Sequence, residues 1–199
     1  METIAGILLA GGRSRRFGSP KAFLQREGKY FYHYSMDSIK SFADSIVLVT
    51  NEELEVSFRD EEENVAIITD HMDVKGLGPL AGIYTGMEHA SADWYVTVPI
   101  DVPFIDSAVF QTLLTYKKEG IDAIVPIVSG NIQLLLSIYH CRVKEVIFDQ
   151  LQQTVLSAHQ LLERINVVYI PMEEERYFYN INRQADYQRW IVDGENEKE

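Results

Sequence analysis

"TIAGILLAGGRSRRFGSPKAF", residues 3–23, decides the fold. Its first seven residues form a continuously apolar run, the pattern of a strand buried on both faces, as in a parallel sheet covered by helices. Ala10-Gly11-Gly12 then turns without bulky side chains, so backbone N–H groups can come close to a ligand's phosphates and base. The cations that follow, Arg13, Arg15, Arg16 and Lys21, are out of keeping with the rest of the chain. Residues 1–29 carry a net charge of +4, whereas the whole 199-residue protein carries −12, which leaves −16 on the other 170 residues. A positive loop on a negative body suits an anionic ligand. Arginine meets phosphate through paired hydrogen bonds and lysine meets it as a point charge. Arg26 and Lys29 are read as part of a solvated face. The overall acidity argues against a nucleic-acid partner.

Outward from this stretch, strands and helices alternate. Tyr32, Met36, Ile39 and Ala43 fall on one helix face, and SIVLVT (45–50) is a strand. Residues 52–63 hold seven acidic side chains and read as a solvated helix and loop. VAIIT (65–69) is a strand, and the glycine-rich loop KGLGPLAG (75–82) leads to a helix reaching about residue 90. WYVTVP (94–99) and DAIVPIV (122–128) are strands flanking a helix over 106–119. IQLLLSIY (132–139) reads as a strand with no helix before it, so it is expected to pair antiparallel. Residues 142–165 read as helical, VVYIPM (167–172) as a strand and 184–192 as a last helix. The expectation is a three-layer α/β/α, Rossmann-like domain with a mostly parallel sheet and one antiparallel strand. It spans residues 1–192, followed by a flexible acidic tail over 193–199.

Several function classes drop out. The chain has no apolar run of the roughly 18 residues that a membrane helix needs. It also lacks a basic segment followed by an apolar stretch and a cleavage site. No membrane association is expected, and the cytoplasm is the expected compartment. Cys141 is the single cysteine, so an internal disulfide and a thiolate zinc cluster are excluded, and it reads as a packed thiol. The five histidines lack zinc-site spacing. Ser19 and Pro20 after Gly18 break the Walker pattern, and the adjacent Gly11 and Gly12 break the dinucleotide fingerprint.

Asp70 and Asp101 each follow a strand directly. Ligands of open parallel sheets bind beyond the carboxyl ends of the strands, where strand order reverses. The Gly11 loop, Asp70 and Asp101 are therefore expected on one rim. Mg²⁺ takes oxygen ligands, commonly one or two carboxylates plus substrate phosphates, and Asp101 between Pro99 and Pro103 has the right chemistry. Asp106 is read as a helix cap.

The segment L-A-G-G-R-S-R-R-F-G-S-P-K resembles the signature of nucleotidyltransferases that activate sugars and cofactors with nucleoside triphosphates. GPLAGIYTGM (78–87), PIDVPFI (99–105) and YNINRQADY (179–187) follow in the order found in the molybdenum cofactor guanylyltransferase (MobA-type) family. This resemblance implies transfer of GMP from GTP to molybdenum-loaded molybdopterin, with Mg²⁺ as cofactor and pyrophosphate as leaving group. It implies catalytic roles for Lys21, Asp101 and Arg16, with Asp101 the metal ligand. Nucleotide contacts are implied for Leu9, Ala10, Gly11, Gly12, Arg13, Lys21, Asp70, Leu80, Gly82 and Asp101. The backbone of Leu80 and Ala81 is suited to reading guanine edges. Asn180 and Asn182 either face the acceptor or cap their own turn. Other molybdenum cofactor proteins or apo-molybdoenzymes are the implied protein partners. Two positions depart from the family pattern: Ile100 stands where relatives carry Cys, and Gln133-Leu134 where they show His-Pro or Gln-Pro. Related readings are a cytidylyltransferase for the same pterin, a sugar-phosphate nucleotidyltransferase, and a nucleotide-binding cofactor chaperone without turnover.

Overall fold

β1 (Ile4–Leu9) lies inside a sheet whose strands it pairs with in parallel on both sides, as its unbroken apolar run requires. The computed structural model describes residues 2–11, 20–59 and 65–193. The main strand sequence comprises β4 (Ser45–Thr50), β5 (Ala66–Thr69), β6 (Trp94–Pro99), β7 (Ala123–Val128), β9 (Ile138–His140) and β10 (Val167–Met172), with β1 among them. Their order across the sheet is β10-β7-β9-β6-β1-β4-β5. The chain runs outward from β1 to β4 and β5, then returns to the other side of β1 to place β6. Strand order thus reverses beside β1, which opens a crevice at the carboxyl edge.

β9 is the expected antiparallel strand, inserted between β6 and β7. The single strand expected over 132–139 is broken in two. Two-residue β8 (Asn131–Ile132) folds back on β7, and residues 133–136 turn away before β9 begins. Side-chain hydroxyls cause the break: Ser137 Oγ donates to Gln133 O at 2.7 Å and Tyr139 Oη to Leu134 O at 2.7 Å. Such local bonds compete with a ladder.

Alternation along the strands sorts the helices onto two faces. Leu8, Leu48, Val96, Val98 and Ile124 face one core, with Tyr32 of α1 (Phe31–Asp37), Phe58 of α2 (Glu52–Arg59) and Phe110 of α4 (Ser107–Leu114). Ile7, Val47, Val49, Tyr95 and Val125 face the other. There they meet α3 (Pro79–His89), α5 (Val143–Gln152) and α6 (Ala158–Leu162). The three layers are those expected. A third cluster of Phe31, Phe104, Ile181 and Ile191 joins the C-terminal α7 (Gln184–Tyr187) to the body, close to the hairpin of β2 (Gln25–Arg26) and β3 (Lys29–Tyr30). A single-turn π-helix over Gln188–Val192 follows α7. Residues 194–199 of the acidic tail lie outside the described residues. Among the described residues, no helix is long and apolar enough to cross a membrane.

Local chemistry shortens three expected helices. α1 stops at Asp37, and hydrogen-bonded turns carry the chain on to Ala43. α4 starts as expected at its Asp106 cap, which accepts from Ala108 N at 2.8 Å, but ends at Leu114 where threonine hydroxyls bond backward along the chain. The helix expected over 142–165 is interrupted: Thr154 takes a left-handed φ of 58°, and Ser157 caps a new start at α6. Conversely, the expected glycine loop over 75–82 ends early. Gly78 takes φ 84°, Pro79 occupies the first helical position, and Leu80–Gly82 already belong to α3.

Candidate active site

Register brings the site together. Leu9 pairs with Pro99 and with Val49, so the chain beyond β1, β4 and β6 leaves the sheet at one level. Thr50 pairs with Thr69, which sets Asn51 beside Asp70. The four exits and the start of α3 surround a cleft of about 900 Å³. Leu9, Ala10, Gly11, Lys21, Asp70, Gly82 and Asp101 all line it, as do Asn180 and Asn182. Leu80 does not line it; together with Ala81 it is buried in the core beneath α3. Gly12, Arg13 and Arg16 lie outside the described residues.

Lys21 opens a single 3-10 turn after Pro20 and reaches into the cleft. Its Nζ lies 3.3 Å from Asp101 Oδ2 and 2.5 Å from Asn182 Oδ1. Both charged side chains are largely shielded, at 17% and 21% exposure, so their attraction is only partly screened by solvent. Asp101 is held by its backbone: its carbonyl accepts from Ile181 N at 2.8 Å. One strand end earlier, Pro99 O accepts from the buried Ser35 Oγ at 2.9 Å. Both asparagines left open between acceptor contact and self-capping line the cleft. Asn182 bonds Lys21 through its side chain, while Asp186 Oδ2 receives its N–H at 2.9 Å.

Asp70 accepts a 3.2 Å hydrogen bond from Gly76 N, which closes its loop. Burial pushes its carboxyl above the usual aspartate range, against the opposing pull of that bond and of Lys75. Lys75 reaches across the rim to Glu52 at 2.6 Å. α3 directs its N-terminus at the cleft, where Gly78, Pro79 and Gly82 form the wall. A helix N-terminus favours anions. Gly82 also keeps this wall close to β1, since a Cβ there would stand 3.0 Å from Leu9 Cδ2.

The opposite wall is residues 132–136, the broken strand, and includes the departing pair Gln133-Leu134. Sequence reading missed Thr50, Asn51, Glu52 and Lys75 as lining residues. Asn51 carried the same signal as Asp70: it is a polar residue directly after a predicted strand. The reading of Arg26 as part of a solvated face is corrected, while Lys29 keeps 36% of its side chain exposed. Arg26 is 15% exposed and donates to Pro103 O at 2.6 Å, and Lys29 pairs with Asp37.

Among the described residues, no three His, Cys, Asp or Glu side chains cluster to hold a metal. Asp101 offers one carboxylate beside Lys21 to the cleft, which Asp70 and Glu52 also line. That donor set does not suit an all-protein cage, but it does suit a hard divalent cation that shares its coordination with phosphates and water.

The switch-point cleft, its lysine–aspartate pair and its helix N-terminus define a nucleotidyltransferase. The chain belongs to the MobA-like NTP transferase domain family, whose pattern matches residues 6–167. It is 38% identical to a probable molybdenum cofactor guanylyltransferase of Bacillus cereus over 99% of this chain and 100% of that one. The same identity and coverage hold for a probable molybdenum cofactor guanylyltransferase of Bacillus thuringiensis. The fold superposes on molybdopterin-guanine dinucleotide biosynthesis protein A of Archaeoglobus fulgidus with a TM-score of 0.82 at 27% identity, covering 98% of this chain and 100% of the other. A 4-diphosphocytidyl-2C-methyl-D-erythritol synthase of Anaerococcus prevotii shares the fold alone, at TM-score 0.77 and 15% identity.

Proposed function

We propose that this protein transfers GMP from GTP to molybdenum-loaded molybdopterin and releases pyrophosphate. The observation that carries the reading is the Lys21–Asp101 pair, set 3.3 Å apart at the switch point of a chain whose full-length relatives at 38% identity are named probable molybdenum cofactor guanylyltransferases. The terminal phosphate of the pterin attacks the α-phosphorus of GTP. A new phosphate–phosphate bridge forms as the bond from the α-phosphorus to the bridging oxygen of pyrophosphate breaks. Both reactants are anions, so alignment and charge neutralisation dominate the work.

Lys21 would release its hold on Asp101 to meet the triphosphate, while Asn182 keeps its ammonium at the centre of the cleft. Arg13 and Arg16 would add charge on the same flank. The positive end of α3 and the backbone at Ala10 and Gly11 would bind the nucleotide, and Asp70 would contact it from the far rim. Asp101 would hold Mg²⁺, which when bound supplies charge compensation between phosphate oxygens. The 132–136 wall and Asn180 would face the pterin. The domain would end near residue 192, in the cytoplasm, with molybdoenzyme-maturation proteins as partners.

The test is pyrophosphate release from GTP with magnesium and molybdenum-loaded molybdopterin, alongside calorimetric binding of GTP and CTP. Turnover with GTP and tighter GTP binding are expected. Tighter binding of CTP, or release of pyrophosphate with CTP instead, would overturn the guanine assignment.

A further inference from the structure

Arg26 does not line the cleft, yet it is among the most constrained cations described. It sits on the β2–β3 hairpin, whose two-residue turn, Glu27-Gly28, takes φ 50° and 74°. Positive φ at both positions is the turn geometry that matches strand twist, so the hairpin is a stiff arm. Its base is fixed twice: Tyr34 Oη donates to Arg26 O at 2.7 Å, and Tyr187 Oη to Gln25 O at 2.8 Å.

The guanidinium of this arm reaches the segment carrying Asp101. It donates to Pro103 O at 2.6 Å and lies 4.5 Å from the centre of the Phe104 ring. Arg176, from the chain just before the asparagines, places its own guanidinium 5.0 Å from the same ring. Pro99 and Pro103 have no N–H, so the segment between them has few ladder bonds available to fix it. Beyond the ladder bond from Ile100 N to Leu9 O at 3.3 Å, its hold comes from outside: Ser35 on Pro99 O, Ile181 on Asp101 O and Arg26 on Pro103 O. Of these, Arg26 alone combines a hydrogen bond with a stacked ring. A planar guanidinium can donate in its own plane and present its flat face to Phe104 at once, whereas a lysine ammonium meets a ring only as a point charge.

We propose that Arg26 is a positioning residue for the nucleotidyl transfer inferred above, holding the Pro99–Phe104 segment, and with it the Asp101 carboxylate, from behind the cleft. The inference rests on that functional reading and predicts a specific division of effects. Metal-free GTP binding depends on the β1, β4 and α3 walls and is left intact. The magnesium-dependent part, which runs through Asp101, is lost.

The experiment compares wild type, Arg26→Met and Arg26→Lys in three measurements: thermal melting, calorimetric GTP binding with and without magnesium, and pyrophosphate release. Arg26→Met is expected to lower kcat about a hundredfold, the size of effect that follows a misplacement of about 1 Å. Metal-free GTP affinity should be unchanged, the gain in affinity on adding magnesium should shrink, and KM for GTP measured with magnesium should rise in step with that loss. Arg26→Lys should stay close to Arg26→Met. Full activity in either variant, or a loss of metal-free binding that tracks a lowered melting temperature, would overturn the proposal. A wild type without turnover would sink the guanylyltransferase reading, while the magnesium dependence of GTP binding would still decide the role of Arg26.

Discussion

Gly86→Ala tests whether α3 is held against β1 by the absence of side chains. A Cβ on Gly86 would stand 2.7 Å from Cγ2 and 2.8 Å from both Cδ1 and Cγ1 of Ile7. Ordinary carbon contacts lie at about 3.5–4.0 Å. The helix must therefore back away by close to 1 Å, or Ile7, which is 0% exposed, must leave its rotamer. Overpacking of this kind costs about 1–3 kcal/mol. Replacing glycine by alanine in a helix offsets about 1 kcal/mol of that. The net expectation is a loss of up to about 2 kcal/mol, which for a chain of this size lowers Tm by up to roughly 8 °C. Because the first turn of α3 walls the cleft, GTP affinity should weaken as well. Differential scanning calorimetry and GTP titration read both effects. Ile7→Val removes one of the three offending atoms, so the double variant should lose less than the sum of the single losses. If Gly86→Ala melted higher than wild type, helix propensity would outweigh the close approach, and the account of this glycine would fall.

Three further outcomes are expected. Asp101→Asn keeps the backbone bond from Ile181 and should melt like wild type while pyrophosphate release falls about 10²–10³-fold; an active variant would remove the assigned metal ligand. Lys21→Ala deletes a charge-assisted contact of about 1.5–3 kcal/mol and should weaken GTP binding roughly ten- to a hundredfold, so unchanged affinity would contradict its role. Asp70→Asn addresses a carboxyl whose folded pKa is raised by burial. The unfolded chain gives up that proton first, so the native state loses stability as pH rises through the folded value. The asparagine variant should therefore be more resistant to urea than wild type at neutral pH. That advantage should vanish below the ordinary aspartate range of about pH 4. An advantage independent of pH would refute the burial argument.

Legibility in the sequence followed the length scale of the interaction. β1, β4 and β6 were readable because continuous burial on both faces leaves an unmistakable apolar run, and Asp106 because a cap acts within three residues. Asp70, Lys21 and Asp101 were readable as site candidates because the carboxyl edge of a parallel sheet gathers whatever follows its strands. The break between β8 and β9 was not, since it depends on two hydroxyls bonding carbonyls four and five residues away. Asn182 and Arg26 were harder still. Their partners stand 161 and 77 residues distant in the chain, and nothing local distinguishes them from a turn asparagine and a surface arginine.

The bond between Lys21 and Asn182 ties nearly the first residues of the chain to nearly the last. Every strand is complete by Met172, so a ribosome could have released enough polypeptide to build the whole sheet before Asn182 emerged. A product terminated just after Met172 would contain every sheet strand described and still lack the clasp around its lysine. In the proposed enzyme, the clasped lysine would exist only in chains that extend past Asn182.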